Sequence, residues 1–353
     1  MIFYISLAVV VAICTELSIR LTSKAMRLFF LFFAAVIPSF FAAVRDGIGT
    51  DYHAYISIFE EARTSSESRI EWIYYYINFV VAKLGGEVEV VFFIGALLLF
   101  LFVYFSLSKR CEVLSPGIGM FVFMLMYYQM SLNATRQVIA MAIILYGIKF
   151  IEERKFLKFS ILIIIASGFH NSALIFFPIY FLYETLFKTK KKFLRYTLYL
   201  SILVVILCLN SILVPILSGD DELKYYLKYL DDSNTGSNIT FLIRHLPFII
   251  IGMYLYRYNK IKDQRFSFYY SIYIISIILK FTSFVGAKYI DRISWNFEIV
   301  LVLLIPYFIR FLNKRGEVFI SWFLICYIVV YWWYLYIFTG SHETYPYQWI
   351  FNK

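Results

Sequence analysis

Residues 88–107, VEVVFFIGALLLFLFVYFSL, form a run of twenty positions with one charged side chain, that of Glu89. A helix needs about 20 predominantly apolar residues to cross the hydrocarbon core of a bilayer, so this run predicts a membrane-spanning helix. The same character extends along the chain, because 61% of its 353 residues are hydrophobic and 16% are charged. A soluble chain has about 45–50% apolar and about 25% charged residues. This composition excludes a soluble enzyme, whose surface would be covered with apolar side chains.

The number of spans follows from the amount of apolar sequence. About 215 apolar positions, at about 18–20 per helix, supply about twelve spans. We predict an all-α polytopic membrane protein in which residues 1–353 form a single integral membrane domain. The predicted spans are residues 1–19, 28–44, 88–107, 117–131, 137–151, 157–169, 172–186, 196–216, 240–256, 267–285, 291–311 and 317–338. The two central pairs of spans abut closely, which predicts helical hairpins with polar tips at 133–137 and 167–171.

Basic residues predict the orientation of these spans, because they concentrate in the cytoplasmic loops of membrane proteins. If both termini lie outside, 21 of the 33 basic residues fall in or beside cytoplasmic loops. These loops are residues 20–27, 108–116, 152–158, 187–195, 257–266 and 310–316, and the longest outer loops are 45–87 and 217–239. The net charge of +10 therefore indicates topology, and we expect no nucleic-acid partner.

Residues 70–84, IEWIYYYINFVVAKL, are apolar but short. If they formed a span, the basic loop near Lys109 would lie on the outer side of the membrane. Tyrosine and tryptophan concentrate at the membrane–water interface. We therefore predict an interfacial or re-entrant helix on the outer face here.

The cysteines predict neither a disulfide framework nor a metal site. Cys14, Cys208 and Cys326 fall in predicted spans and Cys111 in a loop, with no CxxC spacing. We expect no cofactor and no metal. The first span lacks a basic segment before it and a cleavage site after it, so we expect it to be retained as a helix.

Polar residues at the predicted helix ends gather on the outer side of the membrane. Ionisable groups near membrane depth are costly and tend to be paired or functional. The set is Arg45, Asp46, Asp51, Asn133, Arg136, Gln137, His170, Asn171, Arg244, His245, Asp291, Arg292, His342 and Glu343. Their shared side predicts a site that faces outward and is framed by helix ends.

Arginine is the informative component of this set. Its planar guanidinium binds phosphate oxygens at two points and stays charged in apolar surroundings. Helices are predicted to start near Arg136, Asn171, Arg244 and Arg292, and their N-terminal dipoles also favour anions. Arg45 follows the second predicted span, and with Arg136, Arg244 and Arg292 it makes four arginines on the outer side. They predict a pyrophosphate cradle that needs no metal. Helical spacing places Asn133, Arg136 and Gln137 on one face, and Arg292, Trp295 and Asn296 on another.

The same arginines also fit a purely structural role. Arg45 is close in sequence to Asp51, and Arg292 is next to Asp291 and can also pair with Asp46. Ion pairs of this kind would hold loops together and bind no substrate. Both interpretations stay open at the level of sequence.

His170 is the first candidate for a general base. It lies at a predicted hairpin tip between two apolar runs, and the pKa of histidine suits the acceptance of a hydroxyl proton. Asp51, just outside the second span, is the competing base. The structural alternative for His170 is a hydrogen bond to a nearby carbonyl that closes the hairpin.

Five landmarks in the chain resemble the EpsG family of Wzy-type bacterial polysaccharide polymerases. They are RDGIGTDYHAY at 45–55, NATRQ at 133–137, GFHNSA at 168–173, DRISWNF at 291–297 and YPY at 345–347. They run in order over nearly the whole chain. Trp295-Asn296 departs from the family, in which an aromatic pair is more usual.

The resemblance implies a multi-pass glycosyltransferase of the bacterial cytoplasmic membrane with an all-helical, GT-C-like fold. It would polymerise oligosaccharide repeat units carried on undecaprenyl pyrophosphate, on the outer face, as in the synthesis of O-antigen, capsule or exopolysaccharide. A flippase, a chain-length regulator and membrane lipid are the expected partners. In this interpretation Arg45, Arg136, Arg244 and Arg292 hold the pyrophosphate, His170 or Asp51 takes the acceptor proton, and Tyr52, Tyr55 and Trp295 stack on sugars. Asn133, Gln137 and Asp291 complete the binding site.

Two alternatives remain from the sequence. A transporter of polysaccharide or lipid-linked oligosaccharide would also have broken helices and buried charges, but the chain shows no clear repeat and its polar cluster is one-sided. Lys280 and Glu298 are its charged residues near mid-membrane. A ligase-like transferase acting on the same lipid-linked substrates is the second alternative.

Overall fold

The computed structural model describes residues 1–64, 70–187, 193, 196–201, 204, 238–258, 264–282 and 289–352. The chain divides into two compact units. The first unit comprises Met1–Leu174 and Ile305–Lys353, and the second comprises Ile175–Leu304. Both are helical, and no strand occurs in the described ranges.

The helices have the following bounds in chain order. They are α1 Ile2–Arg20, α2 Lys24–Ala43, α3 Tyr52–Thr64, α4 Trp72–Lys83, α5 Val88–Ser108, α6 Pro116–Phe123, α7 Gln129–Asn133, α8 Thr135–Glu152, α9 Phe156–Ser167, α10 Ile179–Phe187, α11 Asn238–Tyr258, α12 Gln264–Thr282, α13 Tyr289–Glu298, α14 Leu301–Lys314 and α15 Val318–Trp332. A π-helical turn, Met124–Tyr128, joins α6 to α7, and another, Trp333–Phe338, continues α15.

The core of the first unit is built on α5, which packs against α2 and α8. Its 21 residues give a length of about 31 Å, close to the thickness of a bilayer core. Four helices in the described ranges are long and apolar enough to cross a membrane, namely Ile2–Arg20, Lys24–Ala43, Val88–Ser108 and Val318–Phe338. The helices α13 and α14 are together long and apolar enough to cross a membrane, although a bend of 46° separates them. If this bent pair is one span, the described ranges contain five. The fold is therefore that of a polytopic membrane protein, and the predicted total of twelve spans is not confirmed.

Two of the predicted spans are interrupted and do not form single continuous helices. Residues 172–186 contain the 3-10 helix Asn171–Phe176 and then α10, because Pro178 between them has no backbone N–H to continue the ladder. Residues 291–311 break between α13 and α14. Most of the predicted span 196–216 and most of the outer loop 217–239 lie outside the described residues, as does most of the basic loop 187–195.

The predicted surface helix at 70–84 forms α4, which has 12 residues. At 1.5 Å per residue it is about 18 Å long and too short to cross a bilayer. It packs against α3 and α5. Its position on the outer face stays a prediction.

The polar loops of the first unit collect at the two ends of its helices. At one end, which we call the basic end, Arg20 contacts Leu114, and Arg110 pairs with Glu152 at 3.2 Å. At the other, which we call the motif end, Asn133 contacts residues 50 and 51 and His342. The helices α1, α2, α5 and α8 each run between the two ends. Loops that the charge pattern assigned to one side of the membrane therefore meet at one end of the unit.

The second unit has a buried ionic cluster at the meeting of α11, α12 and α13. Lys280 on α12 lies 2.5 Å from Glu298 and 3.8 Å from Asp291, both on α13. His245 on α11 is 3.8 Å from Glu298 and 2.9 Å from the hydroxyl of Tyr273. A charged pair removed from water is stable only when both partners are present. The two mid-membrane charges of the sequence are therefore partners, and Lys280 also binds the other end of α13.

Candidate functional site at the motif end

The segment after α2 begins with a buried arginine. Arg45 has 2% of its surface exposed, and its guanidinium lies 3.8 Å from the centre of the Phe92 ring. Nη1 donates to the carbonyl of Ala42, whereas Nε and Nη2 are buried and have no hydrogen-bond partner in the described residues. Burial lowers the pKa of Arg45 below its usual range. A buried cation with unused donors is expensive and indicates an anion-binding role.

The ion pair between Arg45 and Asp51, one of the sequence alternatives, does not form. Within the described residues Arg45 is in no salt bridge. The backbone N–H of Asp51 instead donates to Asn133. The structural explanation of Arg45 as a loop-holding partner of Asp51 is therefore wrong.

Glycine allows the segment after Arg45 to press against the α7–α8 turn. Gly49 has φ +96°, and a Cβ atom built there would lie 2.9 Å from the carbonyl oxygen of Leu132. Gly47 also has a positive φ, +62°, but open space around it. The positive φ values favour glycine at both positions, and at Gly49 the close approach adds a second constraint. This approach brings residues 50 and 51 within reach of Asn133.

Asn133 connects three parts of the chain. Its Oδ1 accepts from the Thr50 hydroxyl at 2.9 Å and from the backbone N–H of Asp51 at 2.8 Å. Because Oδ1 is thus an acceptor, Nδ2 must be the donor to His342 Nδ1, 2.9 Å away. Neutral His342 then carries its proton on Nε2. The prediction that Asn133 shares a helical face with Arg136 is wrong, since Asn133 ends α7 and Arg136 belongs to α8.

The C-terminal segment closes over these loops. The N–H of Gly49 donates to Glu343, the N–H of Asp46 to Gln348, and the hydroxyl of Tyr347 to Phe41. His342 and Glu343 have φ values of +67° and +50°. Positive φ is unfavourable for residues other than glycine and is often found at functional sites. The landmark YPY therefore belongs to the same end of the protein as RDGIGTDYHAY.

Arg136 lies in the first turn of α8 and pairs with Glu71, which precedes α4. Its side chain is 26% exposed and that of Glu71 is 11% exposed. The other carboxylate oxygen of Glu71 accepts from the backbone N–H of Asn171 at 3.3 Å. Glu71 thus ties Arg136 to the turn that contains His170. Glu71 was not among the predicted site residues, although an acid at the start of an apolar helix is a signal for such a role.

His170 follows α9 and is partly buried. Its Nδ1 lies 2.7 Å from the hydroxyl of Ser172. The backbone N–H of Ser172 also donates to Nδ1, at 3.3 Å. Nδ1 is therefore an acceptor, and neutral His170 carries its proton on Nε2. The structure therefore provides an orienting partner for His170. The role of His170 as the base stays a prediction.

Two tyrosines have a different position from the one expected. Tyr52 and Tyr55 are buried, so the prediction that they stack on sugars does not fit this structure. The ring of Tyr55 lies 5.7 Å from that of Tyr74, and Tyr52 packs near Arg45 and Phe92. Burial raises the pKa of Tyr74, an effect that Arg45 and Arg136 oppose. Tyr55 and Tyr74 therefore lie near both Arg45 and Arg136.

Gln137 is buried on α8, one residue after Arg136. Asp51 is half-buried beside its hydrogen bond to Asn133. The first unit therefore gathers eight predicted site residues at the motif end. They are Arg45, Asp51, Tyr52, Tyr55, Asn133, Arg136, Gln137 and His170.

The remaining predicted site residues belong to the second unit. Asp291 and Trp295 on α13 are half-exposed, and Arg292 is exposed in the first turn of that helix. Arg244 is the seventh residue of α11, nearly two turns in. The helix dipole acts within the first turn, so the predicted helix-terminal position of Arg244 is wrong. A cradle of all four arginines requires both units to contribute to one site and stays a prediction.

No group of three or more histidine, cysteine, aspartate or glutamate side chains that could hold a metal occurs in the described part of the chain. The expectation of metal independence stays a prediction.

The fold and the motif end define an all-helical membrane protein with a buried arginine at one end of its helix bundle. The family model that describes the EpsG family matches residues 28–349. The chain belongs to the EpsG family, whose members are associated with polysaccharide polymerisation. Comparison with curated proteins finds no match, and comparison with solved structures finds none either.

Proposed function

We propose that this protein is a glycosyltransferase that polymerises oligosaccharide repeat units carried on undecaprenyl pyrophosphate, at the outer face of the bacterial cytoplasmic membrane. The observation that supports this proposal most is Arg45. Its guanidinium is buried and has two nitrogens without hydrogen-bond partners among the described residues. A diphosphate would supply both the acceptors and the negative charge that this group lacks.

The reaction needs groups that bind the pyrophosphate and a group that accepts a proton, and the motif end offers candidates for both. Arg45 and Arg136, with Arg244 and Arg292 from the second unit, would bind the pyrophosphate. His170 or Asp51 would take the proton of the acceptor hydroxyl. The bond between the sugar anomeric carbon and the pyrophosphate oxygen breaks, a bond to the acceptor oxygen forms, and undecaprenyl pyrophosphate leaves with its charge stabilised by the arginines.

The test is polymerisation by purified protein in detergent with a lipid-pyrophosphate-linked repeat unit. We expect a ladder of products on a gel. Arg136→Ala and His170→Ala should abolish long products and leave single repeat units on lipid. Arg63→Ala is the matched control, because Arg63 forms an exposed pair with Glu87 and its loss should leave the ladder unchanged. Normal chain lengths in both site variants would overturn the site assignment.

The buried charges of the second unit are the observation that favours the alternative of a transporter. Lys280 and Glu298 form a buried ion pair between α12 and α13, and paired buried charges are common in transporters. Uptake of the lipid-linked unit into liposomes, without any ladder, would favour a transporter. Transfer of a finished chain to a different lipid acceptor, without elongation, would favour a ligase-like transferase.

A further inference from the structure

A cavity of about 300 Å³ opens at the basic end of the first unit. Arg20, at the end of α1, and Arg310, on α14, line it together with Glu112 and Cys111 from the loop between α5 and α6. Ile118 and Ile309 provide part of its apolar wall. The cavity thus combines both signs of charge with an apolar wall. It lies at the opposite end of the helices from the motif end.

The two arginines are anchored side by side. Arg310 Nη1 donates to the carbonyl of Val113 at 2.7 Å, and Arg20 Nη2 donates to the next carbonyl, that of Leu114, at 3.3 Å. Each guanidinium has five N–H groups. These contacts therefore orient both groups and leave further donors for a ligand in the cavity.

The charged side chains that line the cavity indicate which charges a ligand would carry. Arg20 is already paired with Glu16 at 3.0 Å, whereas Arg310 forms no ion pair within the described ranges. Glu112 lines the same cavity. The cavity therefore presents a cation and an anion, and a ligand with both a phosphate and an ammonium group would match them.

The surroundings of the cavity are those of a membrane interface. Three helices begin at this end with strongly exposed apolar side chains, Leu28 at 56%, Leu157 at 70% and Phe319 at 84%. Lysines and arginines stand among them in the loops 20–27, 152–158 and 310–316. Basic residues beside apolar helix ends attract phospholipid headgroups.

We propose that this cavity binds the headgroup of a zwitterionic, amine-bearing phospholipid. Arg310 and Arg20 contact the phosphate oxygens, and Glu112 contacts the ammonium group. Ile118 and Ile309 contact the apolar part of the lipid. The site is distinct from the motif end and does not depend on the function proposed there.

Alkylation of Cys111 tests this proposal on the folded protein. A protein with Cys14, Cys208 and Cys326 replaced by alanine is treated with N-ethylmaleimide in detergent. Phosphatidylethanolamine should slow the modification of Cys111 at least fivefold, and diacylglycerol with the same acyl chains should not. A protein that retains only Cys326 is the control, and its rate should be the same with both lipids. Equal rates for Cys111 with both lipids would overturn the proposal.

Soluble glycerophosphoethanolamine separates a lipid ligand from a free phosphate compound. Protection by phosphatidylethanolamine, with or without protection by the soluble compound, supports the proposal. Protection by the soluble compound alone would overturn the assignment to a lipid.

Two variants test the arginine directly. Arg310→Gln should reduce the phosphatidylethanolamine retained in native mass spectra at least fivefold. Arg315→Gln is the matched control, since Arg315 is exposed at the end of the same helix and pairs with Glu317. Equal lipid retention in the two variants would contradict the role of Arg310.

Discussion

The carboxylate of Glu71 pairs with the guanidinium of Arg136, 65 residues away in sequence. Its second oxygen accepts from the N–H of Asn171, the residue after His170. One side chain thus sets the distance between a phosphate-binding candidate and the candidate base. Hydrogen bonds to charged groups contribute about 1.5–3 kcal/mol each, so this residue affects geometry as well as stability.

Glu71→Gln should therefore lower the polymerisation rate about 10- to 100-fold, because the charged contact to Arg136 is lost while the amide oxygen can still accept from Asn171. The measurement is the initial rate of ladder formation at saturating substrate. Glu87→Gln, at the exposed pair with Arg63, should retain the normal rate. A Glu71→Gln protein as active as the Glu87→Gln protein would show that the contact does not position the site.

The variant Arg45→Met distinguishes a role of Arg45 in substrate binding from a role in the stability of the fold. Because Arg45 has no ion-pair partner in the described residues, an apolar side chain of similar length should leave the free energy of unfolding unchanged or raise it. The same variant should lose polymerisation activity, since the buried donors are gone. Thermal unfolding in detergent and the ladder assay together check this. A large loss of stability would indicate that Arg45 is structural.

Gly49→Ala and Gly47→Ala form a matched pair. Both residues have positive φ, which costs an alanine about 1–2 kcal/mol. At Gly49 the new Cβ would also meet Leu132 at 2.9 Å, whereas Gly47 has nothing within 4 Å. Gly49→Ala should therefore lower the melting temperature clearly more than Gly47→Ala. Equal melting temperatures would mean that the segment does not press against the α7–α8 turn.

Lys280→Gln should destabilise the second unit by about 3–5 kcal/mol, because it leaves the carboxylate of Glu298 buried without its partner. The double variant Lys280→Gln with Glu298→Gln should recover most of this loss, since no uncompensated charge remains. Thermal unfolding of the single and double variants measures the coupling. Additive losses in the double variant would argue against a direct ion pair.

Much of the helical architecture could be predicted from apolar sequence and charge. The predicted spans 1–19, 28–44, 88–107 and 317–338 correspond to helices long enough to cross a membrane. The tip at 133–137 is the break between α7 and α8. The broken region around Pro178 was predicted as one span, because hydropathy measures apolar content and does not detect the interruption of a hydrogen-bond ladder.

The sequence by itself determined that the chain is an all-helical membrane protein and which landmarks relate it to the EpsG family. Those properties depend on local composition and on residues close together in the chain. Only the tertiary structure decided that Arg45 has no ion-pair partner in the described residues, that Asn133 binds both the segment after Arg45 and His342, and that Glu71 holds Arg136. The contacts of Asn133 and of Glu71 join residues far apart in sequence, and packing of the helices alone brings them together.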